Sequence, residues 1–220
     1  MLKREGRTTK VLHKNYLGFD FVKAGHFELG EKSHTHKNGE WQKPTVFKPT
    51  NRNFLKAGTS AYLVILGSNY QQQNILYVGE YTGSLHNRWF QRHSQGEELV
   101  VWHSDNLADN INRVLMCELQ GDKAETSVPR KPISDKDKKI ISKIQTEMLH
   151  QLQDGEAPEI SLWLTLDPYV ETRTVGRLNI SRAIEQHFLS NTNLLLPLNS
   201  KGRQTTNDAE DVADITNRQS

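Results

Sequence analysis

Apolar and polar positions divide the chain into short runs of differing period. Ser60 to Leu66 is an unbroken run rich in aliphatic and β-branched residues, and Gly67-Ser68-Asn69 supplies turn residues after it. A polar loop, Tyr70 to Asn74, leads to a second apolar run, Ile75-Leu76-Tyr77-Val78, which stops at Gly79. Together these runs predict the two antiparallel strands of a hairpin, with a tyrosine on each. Thr82-Gly83-Ser84 then offers a turn and an N-cap, and Leu85 to His93 reads as a helix carrying Arg88, Trp89, Arg92 and His93.

Downstream, Leu99 to His103 predicts a short strand or buried connector, Asp105 to Asn112 one or two helical turns, and Val114 to Leu119 a strand. Ser134-x-x-Asp137 looks like a helix start, and Ile140, Ile141, Ile144, Met148 and Leu152 follow at amphipathic helical spacing. Ser161 to Leu166 is a strand ended by Asp167-Pro168, with Tyr169 to Thr174 as its expected partner. In Asn179 to Leu189 an apolar stripe of Ile180, Ala183, Ile184, Phe188 and Leu189 marks a further helix. Glu185 sits beside that stripe, where a carboxylate either finds a cationic partner or has a chemical task. Upstream, Tyr16 to Phe27 has enough apolar residues for one or two short strands, whereas Glu31 to Thr50, with Gly39, Pro44 and Pro49, reads as loop. The mixture is that of an α+β protein.

Length and charge add domain boundaries to this picture. A chain of 220 residues, 35% hydrophobic and 25% charged, can bury one core with an elaborated arm. No run approaches the roughly eighteen apolar residues of a membrane span and no signal peptide opens the chain, so no membrane partner and a cytoplasmic location are expected. A single cysteine, Cys117, excludes an internal disulfide and suits a reducing compartment. The net charge of +2 does not by itself indicate nucleic acid. Its distribution is uneven: residues 1–56 carry twelve Lys or Arg against five Asp or Glu, and the last seventeen carry four acids and one base. The expected division is a basic N-terminal arm at 1–57, either following a phosphate backbone or simply solvated, a folded domain at 58–202, and an acidic disordered tail at 203–220. His34-Thr35-His36 is either half of a metal site or part of a polar loop.

The stretch from Ser60 to His93 resembles the core of the GIY-YIG nuclease superfamily. Ser60-Ala61-Tyr62 stands where the family has Gly-Ile-Tyr, Tyr77-Val78-Gly79 where it has Tyr-Ile-Gly, and Leu85 followed by Arg88-Trp89 is similar to its leucine-x-x-arginine-tryptophan helix. The first triplet keeps only its tyrosine, the gap between the tyrosines is longer than in the smallest members, and Gly79 to Arg88 carries about one extra residue. Later, the family has a helix with a single glutamate and then a turn with an asparagine after an apolar or proline-containing stretch. Glu185 and Asn199, after Leu195-Leu196-Pro197-Leu198, match that order. The resemblance implies a small three-stranded antiparallel sheet flanked by helices, with Val114 to Leu119 as its third strand and about 121–175 as an inserted helix and strand segment.

It also implies a site. Glu185 would be the direct protein ligand of one Mg²⁺, with Mn²⁺ as a substitute, since these ions take oxygen ligands and Mg²⁺ keeps most of its water. Arg88 would hold the scissile phosphate through its planar guanidinium. Tyr62 and Tyr77 would line the site and one of them would orient or deprotonate the attacking water; a tyrosine of pKa about 10 needs nearby cations for that task. Family members place a histidine four residues after the helix arginine. Arg92 stands there in this chain and His93 one later, about 100° round a helix, so either His93 is the base or Arg92 is a second phosphate contact. Asn199 would bind phosphate or water.

The expectation is therefore a metal-dependent endonuclease, a hydrolase of phosphodiester bonds in double-stranded DNA. Its length, basic arm and inserted segment look most like the family's type II restriction endonucleases, with a homodimer presenting two sites to a palindrome. Two alternatives stand beside it: a DNA-binding module of the same fold that does not cut, and a repair or homing nuclease. In an unrelated α+β protein, Tyr62, Tyr77, Arg88 and Glu185 would not converge.

Overall fold

The computed structural model describes residues 12–30, 34–35, 41–42, 44–56, 58–67, 74–90, 99–101, 106–120, 135–155, 158–165, 168–174 and 176–199. In chain order these form β1 (His13–Tyr16), β2 (Phe19–Leu29), β3 (His34–Thr35), β4 (Trp41–Gln42), β5 (Thr45–Pro49), a 3-10 turn (Arg52–Lys56), β6 (Ser60–Leu66) and β7 (Ile75–Tyr81). There follow α1 (Leu85–Trp89), β8 (Leu99–Val100), α2 (Asn106–Gln120), α3 (Asp135–Gln153), β9 (Ile160–Leu164), β10 (Tyr169–Thr172), β11 (Gly176–Asn179) and α4 (Ser181–Ser190). His36, Arg92, His93 and the tail at 203–220 lie outside the described residues, as do the side chains of His34 and Cys117.

Among the described residues, seven strands form one antiparallel sheet in the order β7-β6-β9-β2-β5-β8, with β1 paired to β2. All residues of β6 and β9 are buried. This is why both read as continuous apolar runs rather than alternating ones: each is an interior strand with both faces covered. Alternate residues of β6 serve two cores. Tyr62, Val64 and Leu66 pack with Leu85, Trp89, Ile111 and Ile144, on the side of α1, α2 and α3. Ala61, Leu63 and Ile65 pack with Trp163, Ile184 and Phe188, on the side of α4. The sheet is thus the middle of three layers.

The α+β class and the β6–β7 hairpin agree with expectation, but five features do not. The sheet has seven strands rather than three. Val114 to Leu119 is not a strand but the end of α2, in which Leu107, Ala108, Ile111, Val114 and Leu115 are buried at helical spacing. A short apolar run has no period of its own, and here the pattern upstream of it decides. The strand beside β6 is instead β9, so the segment at 121–175 supplies the middle of the sheet rather than an insertion upon it. Likewise, residues of the supposed N-terminal arm form β1, β2 and β5; Thr45–Pro49 was expected to be loop, yet it pairs with both β2 and β8. Finally, β10 pairs with β11 in a separate two-stranded sheet, not with β9.

The crossing of β2 and β5 is tight at Gly25. A Cβ there would stand 2.3 Å from the Lys48 carbonyl oxygen and 2.6 Å from Phe47 Cζ. Backbone cannot yield as a flexible side chain does, so Gly25→Ala is expected to destabilise the fold by about 1–3 kcal/mol, as overpacking does. Urea unfolding checks this: the midpoint falls while the m-value stays that of wild type.

Candidate functional site

The hairpin brings the two tyrosines together. Its register pairs Tyr62 with Gly79 and Val64 with Tyr77, which places the tyrosines diagonally on one face. Their rings stack, 5.9 Å apart at 21°. The absence of a side chain at residue 79 makes room for them: a Cβ would stand 2.7 Å from Tyr62 Cζ and Oη and from Tyr77 Cε1. Trp89 closes the other side of Tyr62 edge-on at 5.5 Å and is itself core. Tyr62 is 1% exposed, whereas Tyr77 is half-buried and reaches the surface. Tyr81, beside Tyr62, has its hydroxyl pKa pushed up to about 12 by burial, against a partly offsetting hydrogen bond from Ser60.

α1 starts where the residues predict. Ser84 is the N-cap, its Oγ accepting from the Asn87 N–H at 3.2 Å. The helix is a single short stretch that ends at Trp89, because Phe90 is extended and bridges to Val101. Leu85 and Trp89 point into the core and Arg88 is exposed.

The remaining predicted residues converge on the outer edge of β7. Among the described residues that strand ends the sheet, so its outward peptide groups have no strand partner there. Three groups from the C-terminal part of the chain take them at alternate residues. The Leu198 N–H donates to the Leu76 carbonyl at 2.9 Å. The Val78 N–H donates to Asn199 Oδ1 at 3.0 Å, and Asn199 Nδ2 donates to the Val78 carbonyl at 2.8 Å. The Glu80 N–H donates to the carboxylate of Glu185. Period-two spacing along an edge strand explains why 76, 78 and 80 are the residues used.

Glu185 is therefore held at a crowded point. Burial, and then the neighbouring Glu80 carboxylate, push its pKa up to about 6. Arg182, the Glu80 N–H and Arg88 act in the opposite direction. Arg88 comes from the layer that contains α1 and Glu185 from the layer that contains α4, and they come within electrostatic reach of each other at the edge strand between the layers. The Gly79–Glu80 segment is common to both halves of the site, lying under the tyrosine stack on one side and bonded to Glu185 on the other.

Tyr62, Tyr77, Arg88, Glu185 and Asn199 are thus gathered around one strand, while His93 falls outside the described residues. Glu80 and Arg182 are members of the cluster that sequence reasoning passed over. Glu80 had a faint signal, a charge placed directly after the apolar run and its glycine. Among the described residues no three His, Cys, Asp or Glu side chains form a group able to hold a metal ion by themselves. The arrangement suits an ion that takes one or two carboxylates and completes its shell with water, which is the habit of Mg²⁺.

Two outcomes follow from this geometry. Asn199→Ala strips both polar partners from the Val78 peptide and is expected to cost about 1–3 kcal/mol, read by urea unfolding and by faster hydrogen exchange at Val78. Unchanged exchange there would contradict the edge-clamp role. For Glu185, the folded-state pKa lies above its ordinary value of 4.5, so the folded state takes up the proton first as pH falls. Relative to Glu185→Gln, wild type should gain stability as pH falls through about 6 and reach its full gain below 4.5; that gain is lost as pH rises through about 6. Thermal melts of both proteins across this range measure it.

Compared with protein-family models, with curated proteins and with solved structures, the chain matches none, so the reading of this site rests on its own residues.

Proposed function

We propose that the protein is a metal-dependent endonuclease that hydrolyses phosphodiester bonds in double-stranded DNA, in the manner of a site-specific type II restriction enzyme. The observation that carries the reading is the gathering of Tyr62, Tyr77 and Glu185 about the Gly79–Glu80 segment, with Arg88 within electrostatic reach of Glu185. An exposed guanidinium, a half-buried carboxylate and a surface tyrosine are the parts that phosphodiester hydrolysis needs.

In this reading Arg88 binds the scissile phosphate through paired N–H donors. Tyr77 orients the attacking water, since its ring reaches the surface, while the buried Tyr62 fixes the Tyr77 ring by stacking on it. Glu185, with Glu80 beside it, would hold Mg²⁺ or Mn²⁺; a carboxylate whose charge is disfavoured by burial and a second acid favours a cation in the same place. What the metal supplies is stabilisation of charge on the leaving oxygen. Asn199 holds β7, and with it Tyr77 and Gly79, in register.

One observation favours a second reading, a DNA-binding protein that does not cut. Both Asn199 and Glu185 already have structural work as caps of the β7 edge, which a non-catalytic fold would also need. Digestion of mixed plasmid and phage DNA with Mg²⁺ or Mn²⁺ separates the two. Wild type is expected to cleave, and Glu185→Gln and Arg88→Ala to cleave about 10²–10³-fold more slowly while remaining folded. Mg²⁺ should also raise the melting temperature of wild type but not of Glu185→Gln. Intact DNA with wild type, together with retention on DNA that Glu185→Gln does not alter, would establish the second reading.

A further inference from the structure

The hairpin of β10 and β11 is not part of the main sheet. It forms a two-stranded sheet of its own, with Tyr169 opposite Asn179, Val170 opposite Leu178, Glu171 opposite Arg177 and Thr172 opposite Gly176. An isolated hairpin of four-residue strands is marginal in water, and this one is held by contacts at its face, tip and base. Val170 packs on the core beneath α4, and Thr172 Oγ1 donates to the Gly176 carbonyl at 3.0 Å near the tip. The base is closed by the Ile180 N–H donating to the Pro168 carbonyl at 2.8 Å, and Asn179 Oδ1 accepts from the Ser181 N–H at 2.8 Å. Those last bonds tie the ribbon directly to the first residues of α4, the helix that carries Glu185.

Much of the rest of the ribbon is exposed. Tyr169 and Leu178 are exposed large side chains, and Arg173 and Arg177 are exposed too. By register Tyr169, Glu171 and Arg177 share the face opposite Val170. The Arg177 guanidinium lies over the Tyr169 ring at 4.3 Å, which restricts its orientation in advance of any ligand. Arg182 continues the series on α4, where it acts on Glu185. Arginines therefore run from the tip of the ribbon, through its outer face, to the edge of the proposed active site.

We infer that the β10–β11 ribbon is a DNA-contacting arm, entering a groove beside the scissile phosphate and orienting the Glu185 site upon it. The inference rests on the nuclease reading for the site it serves, and on its own residues for the contact. Two strands lie about 5 Å apart, and a two-stranded ribbon fits a major groove about 12 Å wide. Arg173, Arg177 and Arg182 complement a polyanion, and each suits phosphate or guanine edges. The hydrogen bonds at its base couple a contact at the tip to the first residues of α4.

The test is binding of the full chain to a random-sequence DNA duplex in EDTA, followed by fluorescence anisotropy across a salt series. Wild type is compared with Arg173→Ala/Arg177→Ala. The double variant is expected to bind about tenfold or more weakly, with a salt dependence shallower by about 2, since each lost phosphate contact removes roughly 0.9 from the slope. Its melting temperature should match wild type; if it does not, Arg173→Glu at the exposed tip replaces it and should weaken binding further than Arg173→Ala. Equal affinity and equal slope overturn the inference. So does a wild type that ignores DNA, including one whose ribbon captures an acidic polypeptide instead. Adding Mg²⁺ separates the two claims. DNA bound through the ribbon but left intact overturns the nuclease reading alone, whereas cleavage with binding unaffected by the variants overturns the ribbon alone.

Discussion

A strand at the end of a sheet leaves an outward N–H or C=O at every second residue, and β7 meets that demand with groups drawn from more than a hundred residues downstream. Leu198, Asn199 and Glu185 reach Leu76, Val78 and Glu80 in turn. This covering does two things at once. It blunts an edge that would otherwise invite pairing with another chain, and it anchors the C-terminal helix and turn to the hairpin that bears the tyrosines. The proposed active site is a consequence of this closure. Without it, Glu185 and the tyrosine hairpin have no reason to be neighbours.

The edge also explains how two layers contribute to one site. Through the sheet itself, residues on opposite faces are insulated from one another by β6 and β9, which are buried on both sides. At β7 the sheet stops, and there Arg88 from one side and Glu185 from the other come within electrostatic reach. Gly79 matters because a strand residue without a side chain lets the tyrosine rings lie close against the backbone. A carboxylate placed there is partly desolvated, which raises its pKa and makes a cation or a guanidinium a favourable neighbour.

Much of this was legible in local pattern. The hairpin, the Ser84 cap, the helix after Asp135 and the stripe on α4 follow from turn residues and periodicity, which are local in origin. The misreadings have a common cause. Val114 to Leu119 is an apolar run too short to carry a period, and only the burial of Leu107, Ala108 and Ile111 before it makes the helix evident. Thr45–Pro49 looked like loop because of its flanking prolines, yet Pro49 occupies the last position of its strand, where the lost N–H is tolerated. Tyr169 to Thr172 looked like a partner for β9, but a nearer partner, Gly176–Asn179, was available across a short turn.

By itself, the sequence determined the identity of the hairpin, the Ser84 cap and helix faces, and the residue types on which the proposed chemistry would draw. These depend on contacts between residues a few positions apart, so composition and spacing suffice. Only the tertiary structure decided that β9 and the N-terminal strands complete the sheet, that Glu80 and Arg182 join Glu185, and that the β10–β11 ribbon stands apart from the core. Strand order, and which groups satisfy the outer edge of β7, depend on pairings between distant segments. Many such pairings satisfy the same local pattern, and burial of both faces together with satisfaction of every edge selects one of them.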